Sequence, residues 1–192
     1  MAHDARDPWV DVRTAHGFQA DHVISALQKE IRRGRAESAA LLAYEMVITS
    51  PELEAYLWRR LKVIAVEDIG FGEVMAPVVM HSLHQMLLTF DRDMGERRLF
   101  AVHAVRYLCA CRKDRSSDEM TIWISRAVAL GQALPEIPDY ALDMHTAEGQ
   151  KRGRGRRHFF EEAARLDPEL PARDQTYRER IMRMLASGEI PD

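Results

Sequence analysis

From Val23 onward the apolar positions of the chain recur at intervals of three and four residues rather than two. Val23, Ile24, Leu27 and Ile31 form the first such set, with Asp21 as a candidate cap before them and Gly34 as a stop. Ala36, Ala39, Ala40, Ala43, Met46 and Val47 form the second, a face of small residues that lets a neighbouring helix approach closely. Ser50-Pro51-Glu52 then combines a cap, a proline at the first helical position and an early acid, and Leu53, Leu57, Leu61 and Ile64 mark the helix face that follows. Two glycines in Glu67-Asp68-Ile69-Gly70-Phe71-Gly72 break the period, so a loop is predicted before a helix over 76–88. Leu99, Val102, Val105, Tyr107 and Leu108 fill another helix. Ser116 with Glu119 reads as a capping box for one that carries Met120, Trp123, Ile124, Ala127 and Val128 and ends at Gly131. From Pro135 to Arg157 the pattern is less periodic, and Phe159–Leu166 and Tyr177–Leu185 read as two last helices.

No run alternates as a strand requires, so the predicted fold class is all-α, a compact domain of about eight helices. The organisation predicted is a polar, poorly ordered start over 1–17 and a single helical domain over 18–192, with a basic Gly/Arg loop at 151–157. At 192 residues, 46% apolar and 30% charged, the chain has enough apolar surface for a core of its own. A formal charge of −3 gives no global field toward nucleic acid or anionic lipid, so any basic site must be local. Cys109 and Cys111, two apart on one helix, point to different faces and fit a reducing compartment. No cationic segment followed by an apolar one opens the chain, and no stretch approaches the roughly 18 apolar residues of a membrane span. The expectation is a soluble, cytoplasmic protein.

Several segments together resemble a known series: Ser25 to Gly34 (SALQKEIRRG), Ala39-Ala40-Leu41, Arg59-Arg60-Leu61, and Ala65-Val66-Glu67-Asp68-Ile69-Gly70. The likeness runs on through Glu96 to Ala110, Lys113 to Ser117, Ile137-Pro138 and Thr146 to Gly155, covering roughly 20–160. It is similar to the C-terminal part of the replication-associated recombination AAA+ ATPases, clamp-loader-like proteins related to the Werner-helicase-interacting protein. The resemblance implies a helical, collar-like oligomerisation region that follows the ATPase and lid domains. The departure is equally informative: the chain carries no GxxxxGK[ST] phosphate loop and no acidic strand end to hold magnesium. A start at Met1 fits a free-standing homologue.

Glu67 and Asp68 can supply paired carboxylates for metal or acid–base work, or can pair with Arg59 or Arg60 and cap the next turn. His81, His84 and His103 lack the spacing of a metal site, and no metal or other cofactor is expected. The aromatic residues Trp58, Trp123, Tyr44, Tyr56 and Tyr107 suit a core or an oligomer interface. Asp143 and His145 lie in the least periodic region and can form a base-and-orienter pair, or else a helix cap beside a surface histidine. Lys151, Arg152, Arg154, Arg156 and Arg157, interleaved with Gly153 and Gly155, can wrap a phosphate backbone or be a solvated charge run.

Three functions follow. The first is a non-enzymatic module that forms a homo-oligomer and partners DNA or replication and repair proteins. The second is an enzyme or anionic-ligand-binding protein using Asp143 and His145, with Glu67 or Asp68 as further candidates, beside the arginine-rich loop on a phosphorylated or anionic substrate. The third is a nucleic-acid binder acting through 151–157.

Overall fold

The computed structural model describes residues 7–192 and divides into two compact units, 1–132 and 133–192. Among the described residues all regular structure is helical, as the apolar spacing predicts; the exception to helix and turn is an isolated antiparallel bridge between Arg13 and Gln19. None of these helices is long and apolar enough to cross a membrane.

The first unit holds α1 (Ala20–Arg32), α2 (Ala36–Thr49), α3 (Pro51–Ile64), α4 (Ala76–Leu87), α5 (Gly95–Ala110) and α6 (Ser116–Ala129). Its core is the set of stripes visible in the sequence: Val23, Leu27 and Ile31 of α1, Leu53, Leu57, Trp58, Leu61 and Ile64 of α3, and Leu108 of α5. Each large side chain buried this way contributes about 1.5–3 kcal/mol of hydrophobic stabilisation. Ala39 and Ala43 of α2, with Ala101 and Ala104 of α5, are fully buried, and two small-residue faces let the backbones of α2 and α5 pack closely.

Ser50 starts α3 as predicted: its hydroxyl accepts a hydrogen bond from the Leu53 amide (3.1 Å), and Pro51 occupies the first turn. Two other expected caps are displaced. α1 begins at Ala20 behind Gln19 rather than behind Asp21. At α6 the Asp114 carboxylate, not a Ser116 capping box, accepts from the Ser116 amide (2.9 Å) and hydroxyl (3.1 Å). A carboxylate two residues upstream reaches that amide in a local turn, so the serine becomes donor rather than acceptor.

After α3 the chain does not break into a loop at Glu67. It continues as a π turn over Ala65–Ile69 and a 3₁₀ turn over Gly70–Gly72. Gly70 has φ 51°, and a Cβ there would lie 2.4 Å from the Asp114 carbonyl oxygen, so glycine is required both by conformation and by the close approach of the segment leading to α6.

The polar start expected over 1–17 falls partly outside the described residues. From Asp7 on it is ordered onto the unit: Trp9 and Val12 pack against the core, Trp9 lies 5.1 Å from the Tyr56 ring, and Glu45 accepts hydrogen bonds from the His16 amide (2.8 Å) and shares one with its ring (2.6 Å).

The second unit is thinner. It consists of a 3₁₀ turn (Asp139–Ala141), α7 (Ala147–Lys151), a short α8 (Arg156–His158) running into a π turn (Phe159–Ala163), and α9 (Thr176–Ser187). Thr146 caps α7 by accepting from the Gly149 amide (3.0 Å). Leu185 is its one buried apolar side chain among the described residues.

Candidate functional site

Glu67 and Asp68 lie in the π turn after α3, which carries both carboxylates inward toward α1 and α6. Asp68 is completely buried and Glu67 is half-buried. Arg32 Nε donates to Asp68 Oδ1 (2.5 Å), and Arg115 Nη1 donates to the same oxygen (2.5 Å) and to Glu67 Oε1 (3.2 Å). Gln28 Nε2 spans both acids, at 2.8 Å from Glu67 and 2.9 Å from Asp68. Arg115 Nη2 continues the chain to Asp118 (2.5 Å), and Arg60 donates to the Gln28 side-chain oxygen Oε1. The partners expected from the sequence were Arg59 or Arg60. Arg60 enters only through Gln28, because the π turn aims the acids at α1 and at the residue before α6.

Burial works to raise the Asp68 pKa, and the hydrogen bonds from Arg32, Gln28 and Arg115 outweigh it, so the group is held below the ordinary carboxylate value. A carboxylate saturated by two guanidiniums and an amide is a poor base. It acts as a tie between three helices. A second tie of the same kind, unread in the sequence, joins α3 to the α4–α5 connection and the first turn of α5: buried Glu54 accepts from Arg92 (3.1 Å) and Arg97 (2.8 Å). The signal that could have found it is an acid on the apolar face of α3, beside Leu53 and Leu57.

His84 takes a structural part also. Its ring shares a hydrogen bond with Lys62 (2.9 Å), and burial, followed by that lysine's charge, pushes its pKa down. No group of three or more His, Cys, Asp or Glu side chains among the described residues converges as a metal site would require.

In the second unit Asp143 accepts from the His145 amide (2.9 Å) and contacts its ring Nδ1 at 3.1 Å; these two bonds, the amide first, hold the carboxylate below its ordinary pKa. The contact is local, within one turn, and the imidazole rests edge-on against Phe159 at 5.2 Å. The five cations do not form one free loop. Lys151 ends α7; Arg152 bonds Asp139 (2.7 Å) and Glu148 (2.9 Å). Arg154 donates to the Asp139 and Leu142 carbonyl oxygens (2.6 and 2.9 Å) and pairs with the Asp139 carboxylate. Arg156 donates to the Pro191 carbonyl (2.7 Å), and the Arg157 amide donates to Asp192 (2.6 Å). Glu67 and Asp68 thus belong to one unit, and Asp143, His145 and the cations to the other.

Most of α6 faces outward. Of its residues only Ala127 is buried, while Met120, Ile122, Trp123, Ile124 and Val128 are exposed. Trp123, for which the sequence offers a core or an oligomer interface, is exposed in this chain. Between α3 and α6 runs a groove of about 440 Å³ lined by Lys62, Val63, Val66, Glu67, Ser117, Asp118 and Thr121.

Residues 34–179, most of both units, match the family described as "MgsA AAA+ ATPase C terminal". The chain belongs to this family. It is also similar to replication-associated recombination protein A of Escherichia coli (strain K12), 32% identical over 123 residues, which are 64% of this chain and 26% of that protein. The protein of the same description from Haemophilus influenzae is 31% identical over 123 residues, with the same coverage. The chain spans about a quarter of the length of the curated relatives it matches. The resemblance read from Glu67-Asp68-Ile69-Gly70 and its neighbours is borne out, and the acid network, the Asp143–His145 turn and the cations all fall inside the family region, with Gln28 and Arg32 just before it.

Proposed function

We propose that this chain is a non-enzymatic helical module that self-associates and serves a cytoplasmic assembly in DNA replication, repair or recombination. The observation that carries the reading is α6, a 14-residue helix with one buried side chain and a run of large apolar residues turned outward. Contiguous exposed apolar surface of this kind marks an interaction site. Membership of a family defined by the C-terminal region of an AAA+ protein supports the setting, as do relatives named for replication-associated recombination. The charged clusters act as structural ties in this reading. Asp68 and Asp143 have their oxygens engaged, and Arg152 and Arg154 hold the turn around Asp139.

Light scattering behind size exclusion tests it. The expected mass at about 50 µM is a multiple of the 22.0 kDa chain, since an interface of standard size persists at such concentrations. A strictly monomeric protein at that concentration overturns the reading.

A further inference from the structure

Glu119, Ile122, Trp123, Arg126 and Leu130 are spaced by three and four residues and so share one face of α6 and its end. Ile122, Trp123 and Leu130 are 56%, 61% and 68% exposed, and both charged residues are exposed as well. Neither Glu119 nor Arg126 has a side-chain partner among the described residues. Being two helical turns apart, about 10.5 Å along the axis, they cannot reach each other. The face therefore carries an acid toward one end, a base toward the other, and a tryptophan and an isoleucine between them.

That pattern is self-complementary under a two-fold axis. If a second copy of α6 lies antiparallel, crossing between Ile122 and Trp123, then Glu119 of each copy meets Arg126 of the other. Ile122 of each then meets Trp123 of the other. A parallel pair would oppose like charges at both ends. An isologous contact of this kind closes on itself and leaves no free half-site. The antiparallel arrangement also sets opposed helix dipoles side by side.

We infer that this face of α6 is the contact through which two copies of the chain pair, antiparallel, with reciprocal Glu119–Arg126 ion pairs around a Trp123–Ile122 centre. The inference rests on the self-association reading and adds to it the surface and the register. Opposite charges at the ends select the partner's orientation, while the desolvated tryptophan supplies the anchor. Trp, with its large rigid contact area, is a residue type enriched at such centres.

The test is sedimentation of the full chain from about 1 to 100 µM, a range suited to contacts smaller than the roughly 800 Å² per partner of a standard interface. Trp123→Ala is expected to raise the dissociation constant at least tenfold with circular dichroism unchanged and with the same melting temperature at concentrations where both proteins are monomeric, because the side chain is mostly exposed. Glu119→Arg alone places two arginines at each end of the pair, and Arg126→Glu alone places two glutamates there; each is expected to weaken self-association about tenfold. An equimolar mixture of these two single variants restores pairing, since every facing pair is then of opposite sign. The double variant Glu119→Arg/Arg126→Glu likewise returns to within about threefold of the original protein.

Failure separates cleanly. A monomeric original protein overturns both this contact and the function reading beneath it. Self-association that is untouched by Trp123→Ala and by both charge reversals leaves the function reading standing and overturns the α6 contact, placing the interface, or a different partner, elsewhere. Weakening by the single variants without rescue in the mixture or the double variant overturns the antiparallel register.

Discussion

Asp68 is where burial and charge conflict most directly. A lone carboxylate at that depth would be protonated or would unfold its surroundings, and it remains ionised because Arg32, Arg115 and Gln28 are already aimed at it. Removing one member of a buried ionic cluster strands the others, at a typical cost of about 3–5 kcal/mol. Asp68→Asn is therefore expected to destabilise the protein by about 3 kcal/mol in urea titration, more than Asp118→Asn at the partly exposed end of the same chain of contacts. The pH dependence has a definite sign. A group whose folded pKa lies below its unfolded one contributes stability that is fully present above the ordinary carboxylate value, about 4, and is lost as pH falls through the lower folded value. Melting temperature measured downward from pH 5 should fall in the original protein and fall less steeply in Asp68→Asn. Equal slopes would mean that Asp68 is not the group being titrated.

At the scale of elements, α7 sets propensity against contact. Alanine is a better helix former than glycine by about 1 kcal/mol, which on local grounds favours Gly149→Ala. A Cβ at that position would stand 1.9 Å from the Asp143 carbonyl oxygen, inside any permissible contact, and the atom it meets is backbone. A backbone clash this close belongs at the upper end of the overpacking range, about 3 kcal/mol, so after the propensity gain the expected net effect is a loss of about 2 kcal/mol. In hydrogen exchange this reads as about 30-fold less protection for the amides of Arg152 and Arg154, whose acceptors are Glu148 and Gly149. Increased protection would show that α7 shifts freely.

The same contrast explains what the sequence disclosed. Helix positions were legible because apolar spacing is a property of each segment alone, and α3 was legible at its start because serine, proline and acid coincide at 50–52. The cap of α6 was misread because Asp114 and Glu119 compete for the Ser116 amide, a contest that geometry decides in favour of Asp114. The partners of Asp68 were not legible at all: Arg32 and Arg115 lie 36 and 47 positions away, brought in by packing. The apolar stripe of α6 was plain, yet periodicity cannot say whether a stripe meets its own core or water. The family, carried by an ordered series of short segments, was legible before any of this.

At the scale of the whole molecule the two units differ sharply in what they bury. The contiguous apolar core, from Ala20 to Cys109, lies entirely within residues 1–132, together with both buried acid clusters and all of α6. Residues 133–192 contribute Leu185 as their one buried apolar side chain among the described residues, and hold their turns mainly through polar contacts such as Arg154 on Asp139 and Leu142. A chain of about 60 residues that buries so little apolar surface lacks the hydrophobic stabilisation to offset its conformational entropy. Residues 1–132 expressed alone are therefore expected to melt cooperatively with helical circular dichroism and to self-associate with the same sensitivity to Trp123→Ala. Residues 133–192 alone should give little helical signal and no cooperative transition. That pair of outcomes would be in keeping with one domain over 18–192. Cooperative unfolding of the isolated 133–192 segment would instead establish two independent domains, and loss of self-association in 1–132 would move the interface into the second unit.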